Sequence, residues 1–234
     1  MLDWRRNYLN TLVAYRRCVN PGSILIGLRI GRMRQGWYKL ALYYYDLRTT
    51  VSFLCKRVSA PDEDDYRKLT RAMRYLQSTV NLKLTLESDG SGIIRWWVDA
   101  SYAVHPNMKG HTGGTMSMGK GSVYIMASGQ KLVARSSTES ELIGVHDVLP
   151  QIIWTGYFLK AQGLEVVENV LYQDNMSAML LEKNGRRSST KRTRYINIRY
   201  FFVKDRADSG EIRIVHCPTK EMLAEYFTKP LQGM

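Results

Sequence analysis

Six residues, Ile93-Ile94-Arg95-Trp96-Trp97-Val98, constrain this chain more than any other stretch. A short run dominated by β-branched and aromatic side chains spells a core strand. The next residue is Asp99. Aspartate is a poor strand former, and burying its carboxylate without a partner is expensive. A fold that keeps this strand in its core must therefore supply Asp99 with a partner.

The pattern around that strand is regular. "SDGSG", residues 88–92, reads as a turn and marks a domain boundary. After it, residues 93–103, about 112–118 and about 122–134 read as successive antiparallel strands with glycines between them. A helix then starts at Ser136 or Ser137, where Ser136-x-x-Glu139 fits a capping box. Pro150 is expected to bend or divide that helix. "VENVLYQ" reads as a strand and "DNMSAMLLEKNG" as a helix stopped by Gly185. A helix over "YINIRYFFVKDRADSG", a last strand "EIRIVHC" and a short closing helix "TKEMLAEYFTK" complete the order. A three-strand meander followed by strand–helix alternation predicts an α/β domain, with a mixed sheet and helices packed on its faces.

Upstream, "SAPDEDDYRKLTRAMRYLQST" predicts a helix with an acidic first turn and with Leu69, Met73 and Leu76 on one face. Residues 1–46 show turn signals but no sustained period. The chain therefore divides into an unassigned basic segment, 1–46, a helical segment, 47–90, and the α/β domain, 91–234.

Charge is the first functional hint. The net charge of +13 is concentrated in two places. Residues 1–46 carry eight Lys/Arg against two Asp, and residues 183–206 carry nine against one. The first stretch reads as a solvated basic face. The second is what a polyanion would select, and it is read as a nucleic-acid surface. Membrane and secreted classes are not indicated. No apolar run approaches the ~20 residues of a membrane span, and "MLDWRRNYLN" has no signal-peptide core. Cys18, Cys55 and Cys217 lie far apart, without metal spacing or a disulfide framework, which fits a reducing intracellular compartment, cytoplasmic or nuclear.

Four acids fall on core elements: Asp99 on the first strand, Glu141 one turn into the first helix, Asp174 directly after "VLYQ", and Glu225 on the closing helix. Converging carboxylates repel and raise one another's pKa, a conflict that a divalent cation removes. Oxygen ligands suit Mg²⁺ or Mn²⁺. Two such ions ~3.5–4 Å apart clamp the attacking and leaving oxygens of a phosphodiester displacement. Helix capping is the competing explanation: Asp174 fits an N-cap, and Glu139 is explained by capping. Of the histidines, His105 and His111 flank a turn and read as structural, His146 as a helix-surface residue and His216 as a strand residue.

Five collinear motifs, "VDASYAVHPNMKGHTGG", "SSTESELIGV", "LYQDNMSAMLL", "KRTRYINIRYFFVKD" and "PTKEMLAEYFTKPLQG", resemble the ribonuclease H domain of copia-type retrotransposon polyproteins over about 91–234. "TTVSFLCKRVSAPDEDDYRKLTRAMRYLQST" is similar to the connection segment that precedes that domain. The resemblance implies a ribonuclease H-like fold: a five-stranded mixed sheet flanked by helices, with a helical N-terminal remnant. It implies metal ligation by Asp99, Glu141 and Asp174, with Asp99 bridging two ions, Mg²⁺ or Mn²⁺. Glu225 takes the place of the family's fourth acid, usually aspartate; Tyr195 and Asn197 stand where histidine and aspartate are expected. No Tyr-x-Asp-Asp motif occurs, so the reverse transcriptase portion is expected to be absent from this chain.

The implied partner is an RNA–DNA hybrid, read through shape, 2′-hydroxyls and phosphates, with no small-molecule cofactor and no membrane. Arg186, Arg187, Lys191, Arg192 and Arg194 are the expected phosphate contacts. The implied activity is hydrolysis of the RNA strand during reverse transcription. The alternative is an inactive retroelement remnant that at most binds nucleic acid.

Overall fold

The computed structural model describes residues 45–184 and 194–229. A 3₁₀ turn, Tyr45–Leu47, leads into α1, Arg48–Arg57, and then α2, Glu63–Ser78. Asp62 caps α2, its side chain accepting from the Asp65 N–H while the Asp65 carboxylate accepts from the Asp62 N–H, a reciprocal capping box. Asp65 is nevertheless buried, and Arg57 Nε pairs with it at 3.1 Å, tying α1 to α2. Leu47, Val51, Ala72 and Leu76 form the apolar seam between these helices.

The α/β domain is preceded by Glu87–Ser88, which pairs in a two-stranded ribbon with the domain's own Gly119–Lys120. Its strands are β1, Ile93–Ser101; β2, His111–Ser117; β3, Tyr124–Gly129; β4, Glu168–Gln173; and β5, Arg213–His216. The sheet order is β3-β2-β1-β4-β5. β1, β2 and β3 pair antiparallel, while β4 is parallel to both β1 and β5. This is the five-stranded mixed sheet of the ribonuclease H-like fold, and the strand carrying Asp99 lies at its centre.

Alternation along β1 sends its side chains to two different layers. Ile94, Trp96 and Val98 pack against Val145, Val148, Leu149 and Ile152 of the long helix α3, Ser137–Ala161. On the opposite face Trp97 stacks on its register partner Tyr172, ring centroids 5.2 Å apart, above Cys217, Met222 and Ala224. Helices α4, Met176–Asn184, and α5, Arg194–Asp208, complete the helical layer, with Val203 fully buried.

α1 is joined to the sheet edge. Phe53 lies 4.6 and 4.7 Å from the rings of His105 and His111, and Arg48 donates to the Ile125 carbonyl on β3. The two histidines are buried and structural, as their position at a turn suggested.

Three expectations need correction. Of the bend or division expected at Pro150, the division does not occur: α3 is one helix, because the core packing of Val145, Val148, Leu149 and Ile152 outweighs the one backbone bond that proline removes. β3 is shorter than expected and stops at Gly129, where Gln130 turns its side chain into a buried polar network. The closing helix is instead two 3₁₀ turns, Thr219–Glu221 and Leu223–Phe227.

Candidate active site

Asp99 lies near the end of β1, and its neighbours are placed by close packing. Gly144 sits on α3 one turn beyond Glu141; a Cβ there would come 3.1 Å from the Ala100 Cβ, so its absence lets α3 approach β1. The first turn of α3 is held by a buried network. Gln130 Nε2 donates to the Ser140 carbonyl at 2.8 Å and lies 3.2 Å from Thr112 Oγ1, while Ser140 Oγ lies 3.1 Å from Gln130 Oε1. Ser136 caps the helix by accepting from the Glu139 N–H at 3.1 Å, and the Glu139 carboxylate accepts from the Arg135 N–H at 2.7 Å. Glu139 is thus a capping residue, which leaves Glu141 free to point inward.

Asp174 follows β4 directly. Asn175, not Asp174, caps α4: its Oδ1 accepts from the Ala178 N–H at 3.0 Å. The Asp174 carboxylate instead accepts from Thr219 Oγ1 at 3.1 Å. The capping explanation therefore does not use the carboxylate of Asp174.

One oxygen each from Asp99, Glu141 and Asp174 lies within 4.8 Å of the other two. Asp99 is 8% exposed and Glu141 5%. Burial, followed by the negative charges of Asp99 and Asp174, pushes the Glu141 carboxyl well above the ordinary range. Asp99 is also raised, chiefly by burial and further by Asp174, against the opposing effects of the Thr228 hydroxyl and the Lys229 charge. Glu141 Oε2 is buried without a hydrogen-bond partner. Three clustered carboxylates, one of them buried with an oxygen that has no hydrogen-bond partner, fit a hard divalent cation such as Mg²⁺ or Mn²⁺.

Glu225 stands apart from this trio. It is half-buried on the last 3₁₀ turn and pairs with Lys229 Nζ at 2.9 Å. That pairing, with Asp99 and Asp174 behind it, raises the Lys229 pKa. Arg186, Arg187, Lys191 and Arg192 lie outside the described residues, as do Gly185 and residues 1–44; Arg194 is the first residue of α5. His216 is an exposed residue at the end of β5, and His146 is half-buried on α3, in edge contact with Phe202.

Sequence reasoning missed Thr219, Thr228 and Lys229. Nothing in their spacing marks them, because they reach the site through the irregular C-terminal segment and not through a periodic element.

An aspartate on the central strand, a carboxylate one turn into the first long helix and another at the end of the adjacent parallel strand thus meet on one five-stranded mixed sheet. The chain is 30% identical over 194 residues to the retrovirus-related Pol polyprotein from transposon RE2 of Arabidopsis thaliana, covering 82% of this chain and 13% of that protein. It is 28% identical over 185 residues to the retrovirus-related Pol polyprotein from transposon TNT 1-94 of Nicotiana tabacum, covering 79% of this chain and 14% of that protein. Among solved structures it is similar to LC11-RNase H1 isolated from compost, with a TM-score of 0.45 and 12% identity, covering 58% of this chain and 92% of that one. No family model matches the chain. The chain is thus similar to retrovirus-related Pol polyproteins of plant transposons, and it spans about one seventh of the length of the polyproteins it matches.

Proposed function

We propose that this chain hydrolyses the RNA strand of RNA–DNA hybrids, as the ribonuclease H part of a copia-type reverse-transcription machinery acting inside the cell. The observation that carries this reading is the convergence of Asp99, Glu141 and Asp174, with one Glu141 oxygen buried and unsatisfied. These three residues would hold two divalent ions, Mg²⁺ or Mn²⁺, with Glu225 contributing a fourth carboxylate from the C-terminal segment. Such ions, when bound, activate the attacking water and stabilise the leaving 3′-oxygen. The protein's own part is to hold three negative charges together in a half-dry site, fixed by α3 packing through Gly144 and by the Gln130–Ser140 network. Residues 91–234 form the nuclease domain in this reading, and residues 47–90 a connection-like segment. Arg186, Arg187, Lys191, Arg192 and Arg194 supply phosphate contacts to the hybrid, which give affinity and register without reading sequence.

A second reading is favoured by the Glu225–Lys229 pair. An ammonium group close to the carboxylates neutralises part of their charge without a metal, as a non-catalytic nucleic-acid-binding remnant would need. Calorimetric titration of the whole chain with Mg²⁺ separates the two. The nuclease reading expects saturable binding of two ions that is lost in Asp99→Asn; the remnant reading expects no binding at that site.

A further inference from the structure

Asp99 on β1 and Gly113 on β2 are register partners, so they look out from the same face of the sheet. Only Asp99 has a side chain there. The space over Gly113 is taken by the C-terminal segment: a Cβ on Gly113 would come 2.6 Å from Thr228 Cγ2 and 2.7 Å from the Ala224 carbonyl oxygen. Thr228 is completely buried. Its methyl sits over the glycine and its hydroxyl lies 2.6 Å from Asp99 Oδ2. Two backbone hydrogen bonds lock the residue in place: Ser101 Oγ, two residues along β1, donates to the Thr228 carbonyl at 3.0 Å, and the Thr228 N–H donates to the Glu225 carbonyl at 3.2 Å.

The Thr228 hydroxyl has one proton and two acceptors in reach, Asp99 Oδ2 at 2.6 Å and the Glu225 carbonyl at 3.0 Å. The charged, nearer oxygen takes it, because hydrogen bonds to an ionised acceptor are the shorter and stronger kind. This matters because the terminal torsion of an aspartate is broad and close to two-fold. A carboxylate that must face two others would otherwise turn away from them. We infer that Thr228 is a positioning residue that fixes the Asp99 carboxylate in the orientation in which it converges with Glu141 and Asp174, so that docking of the C-terminal segment over Gly113 is what completes the site. This rests on the reading of Asp99 as a metal ligand.

Mn²⁺ binding by the whole chain, followed by calorimetry, tests it with three variants. Thr228→Val keeps the methyl over Gly113 and removes only the hydroxyl. Thr228→Ser keeps the hydroxyl and removes the methyl, and Thr228→Ala removes both. Groups that orient a metal ligand typically contribute 10–100-fold to affinity, so Thr228→Val should weaken Mn²⁺ binding at least about tenfold while Thr228→Ser stays within about threefold of the parent. Melting curves without metal report packing separately, and a purely structural role would move them without separating Val from Ser in Mn²⁺ affinity. A folded Thr228→Val that binds Mn²⁺ like the parent overturns the inference. If the valine variant does not fold, Thr228→Ser and Thr228→Ala are compared instead, and equal affinities overturn it. A parent chain that binds no Mn²⁺ overturns the carboxylate reading itself, and this inference with it.

Discussion

Asp99 and Gly113 face each other across the β1–β2 ladder, and the side chain that Gly113 lacks is the space in which Thr228 meets Asp99. Gly113→Ala should therefore displace the C-terminal segment, since two of the three atoms its Cβ would meet are backbone atoms of Ala224 and Phe227. Overpacking of this kind costs about 1–3 kcal/mol, and each kcal/mol lowers the melting temperature of a chain this size by about 2–4 °C. Gly114→Ala is the comparison, because its Cβ meets only side chains, the nearest at 3.2 Å. Thermal melts should show a clearly larger drop for Gly113→Ala; equal drops would mean the segment yields freely.

Asp99→Asn should stabilise the metal-free protein. Carboxyls whose pKa is raised by folding keep their protons to higher pH in the folded state than in the unfolded one. The stability this provides is full below the unfolded pKa and is lost as pH rises through the raised values of Asp99 and Glu141. At neutral pH the amide removes one of the repelling charges and keeps an acceptor for Thr228. A gain of about 1 kcal/mol, or ~2–4 °C, is expected at pH 7, shrinking as the pH falls toward the ordinary carboxylate range. A large loss of melting temperature would instead make Asp99 a structural residue.

The buried histidines give an effect of opposite sign. His105 Nε2 lies 3.0 Å from His111 Nδ1. Burial, then the Lys56 charge, pushes His105 down to about 4; burial, then His105 and Lys56, pushes His111 down to about 3. Both rings are therefore neutral when folded. Their contribution is present above the ordinary histidine pKa and is lost as pH falls from about 6.5 toward those values. His105→Gln should make the acid-side loss of stability shallower, measured as urea midpoints from pH 7 to pH 4. Parallel curves for variant and parent would show that the pair does not drive it.

Arg186→Ala, Arg187→Ala and Arg192→Ala combined should flatten the plot of log K against log salt for hybrid binding by about two to three units, at ~0.9 for each phosphate that an arginine no longer neutralises. An unchanged slope would remove this stretch from the substrate surface.

Glu225→Asp should raise the Mg²⁺-supported cleavage rate and Glu225→Gln should lower it. Mg²⁺ holds to near-ideal octahedral geometry, and a carboxylate misplaced by about 1 Å can cost up to ~100-fold in rate. In the parent Glu225 is drawn to Lys229, and Mn²⁺ should recover part of the rate. Variants that both match the parent would leave the site resting on Asp99, Glu141 and Asp174.

Much of this was legible in the sequence because it rests on local rules. The apolar run around Trp96 marked a central strand, Ser136 and Glu139 marked the start of α3, and Asp99, Glu141 and Asp174 stood out as acids on core elements. Long-range packing hid the remainder. Pro150 argued for a bend or a division, and the core packing of α3 overrides the division. Thr228 is 129 residues from Asp99 in sequence, and no periodicity connects them. Asp174 fitted an N-cap in the sequence, and only the Asn175–Ala178 hydrogen bond shows that its neighbour caps α4 instead.

The most direct test is cleavage of an RNA–DNA hybrid, with each strand separately labelled, by the whole chain in Mg²⁺ and in Mn²⁺, beside Asp99→Asn. Metal-dependent cuts are expected in the RNA strand alone, with none in the DNA strand and none by a folded Asp99→Asn. A parent that binds the hybrid but leaves its RNA intact with either metal, or an Asp99→Asn that cuts like the parent, would contradict the nuclease reading.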